Sequence, residues 1–188
     1  MNEALEAKLT RIEFSMAIPG ADRIHHVNED DVRVVLGRLP SELWERLRAV
    51  HFNDRSHGAR MFGYVSKGRR EIALCALPPR MSFTAALVKG QTPSQFGARR
   101  GRQWPALAIR RFILYDVLLH ELGHLQLINE NGRSERLKFA REKLAQAFAM
   151  RWCKRLWSVP VPQLGPVHNA PGPEEIRLLF SESVSSIQ

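Results

Sequence analysis

The feature that most constrains the fold is an apolar stretch from Leu107 to Ile128, whose residues cover most of the circumference of a helix. Trp104-Pro105 marks its start, because proline is favoured at the first helical position. Asn131-Gly132 marks its end, because both residues tolerate the left-handed conformation found just past a helix. The chain must therefore pack its other elements around a buried central helix.

Shorter patterns predict the elements that surround this helix. Apolar residues at three- and four-residue spacing predict short helices over 31–39 and 41–50. Apolar runs on either side of Ser66 to Gly68 predict a β-hairpin. Helical spacing predicts a long helix over 135–156 and a short one over 174–180. The fold class is therefore α+β, with a small, mostly antiparallel sheet packed on the central helix and a second helix beside it.

The chain divides into three segments by composition. Its 188 residues fit one domain of ordinary size, which we place at residues 29–157. Residues 1–28 lack sustained periodicity and are expected to form a loosely ordered arm. Residues 158–188 begin with a proline-rich strap, which cannot form a regular helix, and end in the short helix. Residues 90–102 are polar and rich in Gly and Arg, which predicts a long mobile loop.

The central helix contains the motif His120-Glu121-x-x-His124. Histidines four positions apart lie one turn apart on the same face, where both imidazoles can bind one cation. In this motif the carboxylate of Glu121 acts as general base on a metal-activated water. The pattern predicts a hydrolytic zinc site. The alternative is a pair of buried core histidines satisfied by hydrogen bonds.

A catalytic zinc site needs a third protein ligand and keeps one position open for water. The acidic candidates downstream are Glu130, Glu135 and Glu142. We favour Glu142, because an antiparallel second helix can bring it back alongside the two histidines. Its alternative role is that of a solvated acid paired with Lys138 or Arg141. Two imidazoles and one carboxylate suit Zn²⁺ as the cofactor.

Two helix motifs carry a resemblance to a known family: His120-Glu121-x-x-His124 and Glu142-x-x-Ala145-x-x-Phe148-Ala149. Together they resemble the gluzincin metallopeptidases, especially the small cytosolic ones of the ImmA/IrrE kind. The resemblance implies a zincin-like fold and hydrolysis of peptide bonds in a protein or peptide substrate. It also implies that His120, His124 and Glu142 are zinc ligands and that Glu121 is the base.

The same resemblance covers roughly residues 40 to 157, but only the two helix motifs are specific. The hairpin over residues 60–77 falls where such folds place a small sheet whose edge strand binds extended peptide. The chain departs from the family at Gln146, where thermolysin-like relatives often have an acid one turn after the ligand. We therefore assign Gln146 no role from the sequence.

Supporting residues are less well defined by the sequence. Candidates for stabilising the oxyanion are Tyr64, Tyr115 and His168. We place His168 first as a catalytic residue, with a solvated surface histidine as the alternative. Asp116 lies one turn before His120 and either orients that imidazole or pairs with Arg110 or Arg111.

The net charge is +9, and residues 97–111 carry five arginines and no acid. A loop of this kind could hold nucleic acid or an acidic partner, and its alternative is a solvated basic face. The second hypothesis for function is therefore a basic nucleic-acid-binding protein with a structural or vestigial metal site.

The sequence also indicates the compartment. Cys75 and Cys153 are far apart and form no CxxC pair, which argues against a disulfide framework or a thiolate metal site. The first eight residues carry Glu3 and Glu6 where a signal peptide would have a basic segment. The apolar runs are shorter than the roughly 20 residues that a membrane span needs. We expect a cytoplasmic protein without a membrane association.

Overall fold

The computed structural model describes residues 3–56, 61–82, 92–127 and 134–181. Its architecture is α+β, with helices packed against a four-stranded mixed sheet. The strands are β1 Glu13–Met16, β2 Ala49–Asn53, β3 Gly63–Ser66 and β4 Glu71–Cys75. The helices are α1 Glu3–Leu9, α2 Glu29–Arg38, α3 Ala106–Phe112, α4 Leu118–Gln126, α5 Glu135–Trp157 and α6 Pro173–Ser181.

The sheet has the strand order β1-β2-β4-β3. β1 pairs with β2 and β2 pairs with β4 in parallel, whereas β3 and β4 form an antiparallel hairpin. The prediction of a mostly antiparallel sheet is therefore wrong. The chain leaves β1, passes through α2 and returns as β2, and a crossover through a helix brings the second strand back in the same direction.

Two further sequence predictions about the first 56 residues are also wrong. Residues 1–28 were expected to form a loose arm, but residues 3–28 supply α1 and β1 and bury Leu9 and Ile12 in the core. The helix expected over 41–50 is replaced by a single 3₁₀ turn, Ser41–Leu43, followed by β2. Val50 is buried in β2, so this apolar position belongs to a strand.

Other elements follow their sequence patterns. The helix expected over 31–39 is α2, and Asn28 caps it in a reciprocal capping box with Asp31. The expected hairpin is β3–β4, and the expected long helix is α5. The short helix expected over 174–180 is α6. These patterns are local, which is why they could be read from the sequence.

The central helix begins at Ala106 and continues to Gln126 as α3, a π-helical turn at Ile113–Val117, and α4. The π turn directly precedes the motif helix α4, and such turns are frequent at functional sites. The helix end expected at Asn131-Gly132 lies outside the described residues. None of the helices in the described ranges is both long and apolar enough to cross a bilayer.

The loop expected over 90–102 contains ordered structure from residue 92 onward. A 3₁₀ turn, Pro93–Phe96, buries Phe96 against the rings of Trp104 and Phe112. The first two residues of the expected loop lie outside the described part of the chain. The basic segment 97–111 is therefore a loop only up to Pro105, and its last six residues belong to α3.

The C-terminal strap and α6 are held to the central helix by a buried arginine. Arg111 is 2% exposed and donates to both carboxylate oxygens of Glu175, at 2.6 and 3.1 Å. It also donates to the carbonyl of Pro166. Gly97 has φ +87, and a Cβ there would collide with Oε1 of Glu175. Glycine at position 97 therefore leaves room for this ion pair.

Candidate metal centre

Helices α4 and α5 bring the three predicted ligands together. Nε2 of His124 lies 3.1 Å from Nε2 of His120. The carboxylate oxygens of Glu142 lie 3.3 Å from His120 Nε2 and 3.4 Å from His124 Nε2. Tetrahedral ligands at about 2.0–2.1 Å from one metal are themselves roughly 3.3 Å apart. His120 and His124 contact different oxygens of Glu142, and one donor atom from each of the three residues lies within 4.8 Å of the others, so these residues could hold a metal ion.

The two helices approach closely at Gly123. A Cβ at this position would lie 2.9 Å from the Cα and 3.0 Å from the carbonyl oxygen of Ala145. Real Cβ atoms essentially never show contacts of this length with backbone, so only glycine fits. Ala145 is itself fully buried. This contact holds the first turns of α5 close enough for Glu142 to reach both histidines.

Gln146 connects His120, one of the candidate metal ligands, to Asp116. Its Nε2 donates to Oδ1 of Asp116 at 2.8 Å, and its Oε1 lies 3.1 Å from Nδ1 of His120. Because a carboxylate only accepts hydrogen bonds, the amide nitrogen must face Asp116 and the amide oxygen must face the imidazole. Nδ1 of His120 therefore donates to Gln146, and Nε2 is the ring nitrogen that faces Glu142 and His124.

This arrangement decides between the two roles considered for Asp116. Its carboxylate orients His120, but through Gln146 rather than directly. Arg110 and Arg111 are paired with other acids, Asp31 and Glu175. Gln146 was not singled out from the sequence. The sequence feature that could have identified Gln146 is its position one helical turn after Glu142, on the same face of α5.

We expect the Gln146→Leu variant to bind zinc about 10- to 100-fold more weakly than wild type, because the support of His120 is lost. Affinity is measured by competition with a chromophoric chelator. Lys143→Leu introduces the same side chain on an exposed position of α5 and should leave the affinity unchanged. Equal affinities for the Gln146 variant and wild type would show that this hydrogen-bond chain does not position the ligand.

Glu121 points into the same site and is 7% exposed. Burial raises the pKa of its carboxyl to about 8, and the negative charge of Glu142 acts in the same direction. Burial also lowers the pKa of His124. A cation held by the three ligands would oppose the shift at Glu121 and favour its carboxylate form.

The site opens into a cleft of about 500 Å³ between β3, the central helix and α5. Gly63 lets β3 pass close to the helix, since a Cβ there would lie 2.8 Å from Cγ1 of Val117. Tyr64 lines the cleft, and its hydroxyl accepts a hydrogen bond from Asn53. Within the described ranges no strand pairs with the outer edge of β3.

The structure places His168, predicted to be a catalytic residue, away from the cleft. This residue is 4% exposed and does not line the cleft. Its Nδ1 lies 3.1 Å from the hydroxyl of Tyr115, and its Nε2 lies 3.7 Å from Asp31. Arg38 donates to the carbonyl of His168. His168 and Tyr115 therefore anchor the strap, and of the three oxyanion candidates Tyr64 is the one on the cleft wall.

The basic segment 97–111 is partly used inside the fold. Arg110 bonds to both carboxylate oxygens of Asp31 at 2.9 and 3.0 Å, and Arg111 is buried against Glu175. Arg100 and Arg102 are exposed. Two of the five arginines thus stabilise the domain, and the binding of nucleic acid to this segment stays a prediction.

Comparison with known proteins identifies no relative of this chain. No protein-family model, curated protein or solved structure matches the chain. The resemblance to gluzincins therefore stays a prediction, and the interpretation of the site rests on the geometry of His120, His124 and Glu142 and on their surroundings.

Proposed function

We propose that this protein is a zinc-dependent metallopeptidase with a zincin-like fold. The observation that supports the proposal is the convergence of His120, His124 and Glu142 on one point beside Glu121 in an open cleft. Two imidazoles and one carboxylate are a donor set typical of catalytic zinc. Gln146 engages Nδ1 of His120, so that Nε2 is the ring nitrogen facing the position where a metal would bind.

Zinc held by these side chains supplies a Lewis acid that polarises a carbonyl and acidifies a bound water. The side chains of the protein carry out the proton transfers. Glu121 takes a proton from the attacking water and returns it to the leaving nitrogen of the cleaved amide. Because Glu121 is buried beside the ligands, its carboxylate is held in a fixed position for both transfers.

The cleft also suits an extended peptide. The outer edge of β3 presents backbone N–H and C=O groups, and an added strand can pair with such an edge. Tyr64 borders the cleft, but its hydroxyl accepts a hydrogen bond from Asn53, which lines a separate groove. We therefore assign Tyr64 no role in the reaction.

The proposal is tested by metal content and peptide hydrolysis on protein purified without added metal. Wild type should carry about one zinc per chain, the content of a single three-ligand site. His120→Ala and Glu142→Ala should lose it, because each removes one of three ligands. Lys143→Ala, one residue along α5 from Glu142, should retain it. Wild type should cleave a quenched fluorescent peptide library, and a chelator should stop the cleavage until zinc is restored.

A folded wild type that binds no zinc would contradict the metal site. A zinc-loaded wild type that cleaves no peptide would contradict the peptidase activity and leave the metal site standing. Circular dichroism of every variant shows whether a loss of zinc comes from removal of the ligand side chain or from unfolding of the protein.

A further inference from the structure

A serine, a histidine and a glutamate lie side by side on the sheet. Ser15 on β1 and His51 on β2 are partners in the parallel register, so their side chains share one face of the sheet. Val50 and Phe52, on either side of His51, are buried in the core on the opposite face. Oγ of Ser15 lies 2.6 Å from Nδ1 of His51. Nε2 of the same ring lies 3.5 Å from Oε2 of Glu71 on β4.

This order is that of a nucleophile, a base and a group that orients the base. In such sets the nucleophile and the base are about 2.6–3.2 Å apart. The contact between Ser15 and His51 falls in that range. A carboxylate only accepts hydrogen bonds, so Glu71 favours a proton on Nε2 of His51 and leaves Nδ1 to accept the proton of Ser15. The imidazole is therefore placed to activate the hydroxyl of Ser15.

Ser15 is open to a substrate. The residue is exposed, and within the described ranges no strand pairs with the outer edge of β1. The backbone N–H groups of Glu13 and Ala17 donate to β2. Because N–H groups alternate in direction along a strand, the N–H of Met16 points to the open edge. The N–H of the residue after a nucleophilic serine is a common donor to an oxyanion. Met16 can therefore supply this donor beside Ser15.

A groove of about 590 Å³ adjoins His51. It is separate from the metal cleft, which none of the three side chains lines. The walls of the groove are largely polar and include Asp54 and Arg69. Burying such groups against a hydrocarbon chain is costly. The groove therefore favours a small hydrophilic substrate.

We propose that Ser15, His51 and Glu71 form a second catalytic site, which hydrolyses small polar carboxylic esters independently of the metal centre. Oγ of Ser15 forms a bond to the carbonyl carbon while its proton passes to Nδ1 of His51. The bond to the alcohol then breaks, and His51 gives the proton to the alcohol oxygen. Water attacks the acyl-serine with His51 as base, which releases the carboxylic acid and restores the hydroxyl of Ser15. Glu71 is a positioning residue that holds the imidazole.

This site shares no residue with the metal centre, so it can be tested with the metal removed. Wild type in the presence of a chelator is incubated with a fluorophosphonate, a reagent that labels activated serines. Trypsin releases residues 12–23 as one peptide, in which Ser15 is the only hydroxyl-bearing residue. Mass spectrometry should find the label on this peptide. A label confined to other peptides, or no label, would overturn the proposal whatever the outcome for the peptidase.

Hydrolysis of p-nitrophenyl acetate in the same chelator measures turnover. His51→Gln should lower the rate by at least about 100-fold, the lower range for loss of an acid–base group. Ser15→Ala should cost a similar factor, because nucleophile and base act as a unit. Ser66→Ala removes a serine that lines the same groove and should leave the rate unchanged. Equal rates for Ser15→Ala and wild type would exclude Ser15 as the nucleophile.

Glu71→Gln tests the positioning role. It should lower kcat and leave KM near the wild-type value, because Glu71 acts on the imidazole. Glu71→Asp restores a carboxylate and should recover part of kcat. A wild-type kcat for Glu71→Gln would overturn the role of Glu71. Circular dichroism of each variant separates loss of catalysis from unfolding, and the labelling of wild type depends on no variant.

Discussion

Glu121→Gln should remove peptide hydrolysis while the protein keeps its zinc. Glutamine has the shape of glutamate but cannot accept the proton of the attacking water. General acid–base catalysis contributes on the order of 10²- to 10⁴-fold, so the rate should fall by that factor. The zinc content should stay near that of wild type, because the metal cluster consists of the other three side chains. Initial rates and elemental analysis on the same preparation measure both quantities.

Glu135→Gln is the matched control, because Glu135 is an exposed acid of α5 that does not line the cleft. Its rate and zinc content should both equal those of wild type. Suppose that Glu121→Gln retained more than about a tenth of the wild-type rate. The loss of rate would then be smaller than general acid–base catalysis normally contributes. Glu121 would then not be the base. If the variant lost its zinc, Glu121 would have to be counted among the ligands.

Gly123→Ala should destabilise the protein and lower its affinity for zinc. The new methyl group would meet backbone atoms of Ala145 at 2.9 and 3.0 Å, and backbone cannot rotate away as a side chain can. Overpacking of this kind costs about 1–3 kcal/mol in free energy of unfolding. The helices must separate to accept the methyl group, and Glu142 then moves away from the histidines. Chemical denaturation and chelator competition measure the two effects.

This prediction runs against intrinsic helix propensity, which favours Ala over Gly by about 1 kcal/mol in a helix interior. Gly68→Ala is the control, because no other atom lies within 4 Å of a Cβ built there. Its stability should change little. An increase in stability for Gly123→Ala would show that α4 and α5 do not meet at this position.

The ligand arrangement could be predicted from the sequence because each step is local. The spacing of His120 and His124 fixes their common face once the segment is helical. Glu142 follows from a second helix that runs back along the first, and consecutive helices commonly pack in this way. The structure brings one donor atom from each of the three side chains to within 4.8 Å of the others.

The sheet and the supporting residues could not be predicted in the same way. β1 has four residues, three of them exposed, so it lacks the alternation that identifies a strand. Its pairing with β2 depends on residues more than 30 positions away. His168 was misplaced because a proline-rich segment carries no periodicity that shows which face of the domain it crosses. Gln146 acquires its role only from the simultaneous positions of Asp116 and His120.

The buried ion pair between Arg111 and Glu175 also bears on how the chain folds during synthesis. The two residues are 64 positions apart, and Arg111 leaves the ribosome first. Until Glu175 follows, the guanidinium must stay hydrated, because burying an unpaired charge is costly. At about 5–20 residues per second, this delay lasts roughly 3–13 s. The central helix can therefore complete its native packing only after residue 175 has been made, although His120 and His124 have been made long before.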